Sequence, residues 1–170
     1  VVRRIVVGSY VLAGAVTIIA WLAVLPARPP PPGVEVGRVL ASRIDASDRV
    51  VVAGLWQLEV RHGLAEGLVD GSATVAEIAE VEAVPSSQAG HPGWLDREAA
   101  FSPEIFDEAV ALRGSAAATG SRIWLVWSPA LPLESTFFPA FSGWHRETVA
   151  KTPIITVDLL APPAAEVGTS

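Results

Sequence analysis

The chain has 170 residues, with 18 acidic and 12 basic side chains, a formal net charge of −6, 51% hydrophobic residues and no cysteine. The lack of cysteine excludes disulfides, thiolate catalysis, iron–sulfur clusters and thiolate zinc sites together. All 18 acids lie from Glu35 onward, against nine bases there, and this balance argues against nucleic acid or anionic lipid as a partner, since both need a basic face.

Residues 5–25, IVVGSYVLAGAVTIIAWLAVL, form a run of 21 residues without a charge. A hydrocarbon core of about 30 Å takes about 20 apolar residues at the helical rise, so the run predicts a single-pass membrane helix in contact with the lipid bilayer. Ser9, Tyr10 and Thr17 can bond within that helix or lie near a boundary. Arg3 and Arg4 precede it, and basic residues beside a span tend to stay in the cytoplasm. Residues 1–4 are therefore expected inside a bacterial inner membrane, with the rest of the chain periplasmic or extracellular. A cleaved export signal is the competing reading. Its apolar core normally has about 7 to 15 residues and ends in a small-x-small site, whereas this run is longer and residues 25–27 read Leu-Pro-Ala. Ser9, Ala13 and Thr17 make two small-xxx-small pairs that permit lateral helix contact.

Residues 26–33 form a proline-rich linker containing four consecutive prolines, 29–32, closed by Gly33. Such a run is an extended polyproline rod, a spacer of about 3.1 Å per residue. Beyond it, residues 34–40 and 49–61 alternate with period two and predict strands. Ala46, Ser47 and Asp48 are turn residues between them. Thr74 and Glu77 fit a capping box, predicting a helix over 75–83 that stops before Pro85. Ser102, Pro103 and Glu104 make a second helix start, expected to run to Arg113 and end at Gly114. Residues 122–127, apolar on both faces, predict a central strand, and 153–160 a last one. Residues 161–170 have too little apolar surface to fold alone and read as a flexible tail. The order of elements predicts, over 34–160, an extracytoplasmic α+β domain on a mainly antiparallel sheet with two short helices.

Residues 130–145, ALPLESTFFPAFSGWH, crowd four large rings into a predicted loop. Loops lie at surfaces, and aromatics exposed there imply a partner or a membrane interface. Phe137, Phe138, Phe141, Trp144 and, from a separate loop, Trp94 are accordingly the candidate partner-binding residues. The alternative is that this loop folds back and its rings complete a small core.

Catalytic patterns are sparse. His62, Glu66 and Asp70 have the i, i+4, i+8 spacing of ligands on one helix face, but Gly63, Gly67 and Gly71 weigh against a helix there. Ser142 and His145 lie close in sequence without a nucleophile elbow around the serine. The sequence contains no phosphate loop, dinucleotide fingerprint or HExxH motif. Residues 5–25 offer no His, Met or Cys to ligate a cofactor. No cofactor, metal or enzymatic activity is expected. The expected function is that of a non-catalytic accessory subunit of an integral membrane complex, photosynthetic or respiratory among the candidates. An anchored periplasmic binding module for a peptide, glycan or lipid is the alternative.

Overall fold

A computed structural model describes residues 29–54, 56–73, 81–86 and 103–163 of the chain. The chain divides into two units, Val1–Pro31 and Pro32–Ser170. The expected membrane helix at 5–25 and the N-terminal residues 1–4 lie outside the described residues, as do Trp94 and the tail from 164 on. Among the described residues no helix is long and apolar enough to cross a membrane.

The second unit opens on helix α1, Pro32–Ala41, where a strand was expected over 34–40. The last proline of the run takes the first helical position, where its missing N–H and fixed φ cost nothing. The buried residues Gly33, Val34, Gly37, Leu40 and Ala41 follow helical spacing; the valines and leucine that alternate in sequence fit that spacing as readily. The expected strand over 49–61 also divides. Strand β1 covers Arg49–Ala53, Gly54 turns the chain with φ at 130°, and helix α2 runs Gln57–Asp70.

Glycine permits this arrangement. Gly33 is bonded to Glu59, Gly37 lies against Gly63 and Ala41 against Gly67, a constant offset that only parallel helices produce. A Cβ on Gly63 would stand 2.1 Å from the Val34 carbonyl oxygen and 2.9 Å from the Gly37 Cα. The two backbones are therefore in direct contact, and the glycines that weigh against α2 in isolation are what let it pack.

Strand β2, Val81–Ala83, takes the end of the segment expected as a helix over 75–83; residues 74–80 are outside the described set. Helix α3 runs Glu104–Thr119 and passes through Gly114, whose missing side chain would face open space. It ends at left-handed Gly120, whose N–H reaches the Ala116 and Ala117 carbonyls. Strand β3, Ile123–Trp127, is buried at all five residues, as expected of a central strand. Then come a short helix α4 at Leu133–Thr136, a 3-10 turn at Phe138–Phe141, and strands β4, His145–Lys151, and β5, Thr156–Ala161.

The five strands form one sheet in the order β2-β1-β3-β5-β4. β1 pairs in parallel with β2 and β3, while β5 pairs antiparallel with β3 and β4. The α+β class holds, but the sheet is mixed rather than mainly antiparallel, and among the described residues four helices accompany it where two were expected. The difference comes from α1 and α2: two segments expected as strands are crossover or flanking helices, and a helical crossover is what parallel pairing requires. β4 escaped prediction because an edge strand needs only one packed face, and its His, Arg, Glu and Lys leave little alternation to see.

The helices cover both faces. Val50, Val52, Val60, Leu64, Trp124, Val126 and Val157 pack with Leu40 and Ile44 on the side of α1 and α2. Val51, Ala53, Leu125, Trp127 and Leu160 pack with α3, α4 and the 3-10 turn on the other.

Candidate functional site

The aromatic segment folds back on the α3 side of the sheet. Phe137 is fully buried and Phe141 nearly so, while Phe138 and Trp144 are half-buried against the same core. Phe137 and Phe141 stack at 5.0 Å, Trp144 stands edge-on to Phe141 at 5.3 Å, and Phe138 stands edge-on to Trp127 at 5.4 Å. Of the four candidate rings described, two serve the core and two keep partial surface. A signal for this was present: Leu133, Phe137, Ala140 and Phe141 recur at helical spacing just after Pro132, as residues covering a core do.

Two polar networks that no sequence motif marks hold this architecture, one on each face. Trp124 and Trp127 are three apart in β3 and so face opposite sides of the sheet. Each indole N–H donates 2.9 Å to a buried carboxylate, Trp124 to Asp48 and Trp127 to Asp158. Each carboxylate also accepts from an arginine: Asp48 from Arg122 at 2.7 and 2.9 Å, Asp158 from Arg146 at 2.8 and 3.1 Å. Thr148 donates to the second oxygen of Asp158 at 2.6 Å, and Asp45 donates its N–H to Asp48 at 2.9 Å. A lone Asp inside the apolar run PIITVDLL was the visible cue, because a buried carboxylate must be paired.

The electrostatics follow from these contacts. Burial raises the Asp48 carboxyl, but hydrogen bonds from Arg122, the Asp45 N–H and Trp124 outweigh it and hold it below the usual range. Arg146 loses solvation, which lowers it, yet Glu134 and Asp158 raise it overall, and its guanidinium lies 3.5 Å over the Phe138 ring. Glu134 is in turn held low by Arg146. Asp158, with both oxygens engaged and no exposure, positions its neighbours and cannot reach a substrate.

In a sheet with this order, the carboxyl ends of β1 and β3, where the crossovers diverge, form the usual ligand crevice. Here Trp56 and Leu131 lie beside Gly54 at the end of β1: a Cβ on Gly54 would lie 3.3 Å from the Trp56 ring and 4.0 Å from Leu131. Comparison with protein-family models, with curated proteins and with solved structures finds no match. The His62, Glu66 and Asp70 set does lie on a helix after all, beside an open hollow shared with Arg38 and Val69. Glu66 is engaged by Arg38 at 2.7 Å and by His62 at 3.4 Å, and among the described residues no three side chains are grouped to hold a metal ion. Ser142 caps the 3-10 turn and His145 begins the exposed edge strand.

Proposed function

We propose that the chain is a single-pass, membrane-anchored accessory subunit with a structural role. Residues 5–25 cross a bacterial inner membrane with the N-terminus inside, and the folded unit from Pro32 onward packs outside it on an integral membrane complex. The observation that carries the reading is the uncharged run of 21 residues joined to a folded unit that leaves large apolar side chains at its surface. Phe138 and Trp144 are half-exposed, and Phe106 and Val110, one turn apart on α3, are 43% and 46% exposed. The two buried carboxylates, Asp48 and Asp158, are engaged by Arg122, Arg146 and the two indoles, a role in supporting the fold. Energy-converting complexes, photosynthetic or respiratory, are the first hosts to examine.

A photo-crosslinking amino acid placed at position 144, and separately at 106, tests the proposal in intact cells. A discrete crosslink to one integral membrane protein supports it; crosslinking to lipid alone, or to no defined product at both positions, contradicts it. The second reading, an anchored periplasmic binding module, draws on a different feature, a small apolar pocket on the opposite face of the sheet.

A further inference from the structure

That pocket lies between α1 and the β4–β5 edge, has a volume of about 140 Å³, and is more enclosed than the hollow beside His62. Val36 and Leu40 of α1, Trp124 of β3, Val157 of β5, and Val149 and Ala150 of β4 line it. β4 has a specific part in this. Its register against β5 slips between Thr148, opposite Asp158, and Ala150, opposite Val157, and both Val149 and Ala150 pack towards the α1 side. A regular strand would send successive side chains to opposite faces, so the bulge is what supplies two apolar neighbours here.

Polar groups carried by the lining side chains are spent elsewhere. The Trp124 indole N–H donates to Asp48 at 2.9 Å, which leaves the ring only carbon to offer the pocket. At the rim, the Thr152 hydroxyl donates to the Ile155 carbonyl and accepts from the Ile154 and Ile155 N–H groups. The walls accordingly present only apolar surface, and a water there would find none of the two to four polar partners it needs. Glu35 and Arg43 border the space with opposite charges, so an ion of either sign is attracted by one and repelled by the other.

We propose that the pocket binds a small uncharged hydrocarbon of about six carbons. The size follows from the volume: a dry apolar cavity of about 150 Å³ in another protein takes benzene. The neutrality follows from the walls, since a charged or hydroxylated guest would give up its hydration for no hydrogen bond in return. The site lies on the face of the sheet opposite α3 and the 3-10 turn. It therefore stands whether or not the accessory-subunit reading does, and its test leaves that reading untouched.

Methyl-resolved NMR of the full chain in lipid nanodiscs tests it, with benzene held at fixed vapour activity so that uptake by lipid does not alter its free concentration. Saturable shifts are expected in the methyl groups of Val36, Leu40, Val149 and Val157, and none in those of Val51 and Leu125 on the other face. Xenon should shift the same methyl groups and be displaced by benzene. Benzoate and benzylammonium should each bind at least about tenfold more weakly than benzene. Ala150→Phe should fill the space and abolish the benzene shifts without lowering the melting temperature. The proposal is overturned by the absence of saturable shifts in the lining methyl groups, by benzoate or benzylammonium binding as tightly as benzene, or by unchanged benzene shifts in a folded Ala150→Phe chain. If that variant fails to fold, the parent chain decides, because xenon and benzene shifts that add without competition would equally contradict a single site.

Discussion

At the scale of single residues, Asp48 and Asp158 do the most to fix the structure. Each is a carboxylate taken out of water, and such a group is tolerated only when its lone pairs are met. Asp158 is fully buried and binds Trp127, Arg146 and Thr148. Asp158→Ala should therefore destabilise the domain by about 3 kcal/mol, since it orphans an indole N–H and a hydroxyl inside the core; chemical denaturation measures this directly. Asp48 gives a pH signature. Its carboxyl is held below the ordinary range in the folded state, near 3.9 when unfolded, so the stability it confers is present above the unfolded value and lost as pH falls through the folded one. Asp48→Asn should lower stability at pH 7 and flatten the fall in stability between about pH 5 and pH 2 relative to the parent chain. An unchanged acid limb would mean that the Arg122 and Trp124 bonds do not favour the ionised form.

At the scale of elements, glycine has opposite meanings in two helices. In α2, Gly63 is where α1 touches, and Gly63→Ala should cost about 2 kcal/mol by forcing two backbones apart, despite the better helix propensity of alanine. In α3, Gly114 meets nothing within 4 Å, so Gly114→Ala should stabilise by about 0.5–1 kcal/mol. Thermal melts of the two variants should move in opposite directions. This contrast also shows what was legible in the sequence. The all-apolar run in β3 read correctly, and so did the start of α3, because the Pro-Glu opening and two-sided hydrophobicity are local signals. Helices α1 and α2 did not, because alternating valines match both periods over a few residues and the glycines that deny a helix in isolation are redeemed by a partner distant in sequence. The parallel pairing of β1 followed from those helices and was hidden with them. For the aromatic segment the sequence leaves surface loop and folded-back core both open, since the spacing of Leu133, Phe137 and Phe141 becomes meaningful only once a core exists to receive it. The two Asp–Trp–Arg networks join residues as far apart as Asp48 and Trp124, a proximity that no local pattern encodes.

At the scale of the whole molecule, the folded unit leaves apolar side chains at its surface, and these are the proposed basis for association with a membrane complex. The sheet itself is not offered as that basis: its exposed edge strand β4 carries Arg146, Glu147 and Lys151 and a bulge, features that oppose strand-to-strand pairing. Side chains such as Phe138 and Trp144 are better placed. Under the proposed reading, replacing both with Ser should release the chain from the membrane complex; Phe137→Ala, by contrast, should unfold the domain outright, at about 3–5 kcal/mol for a fully buried ring. Near-ultraviolet circular dichroism separates the two outcomes, because the double variant should keep a folded signal if its rings serve a partner.

The most direct measurement is mild-detergent solubilisation from the native membrane, followed by native gel separation and mass spectrometry of what travels with the chain. Comigration with one large membrane complex at fixed stoichiometry is the predicted result. Migration of the chain by itself under conditions that keep other membrane complexes intact would contradict the accessory-subunit account.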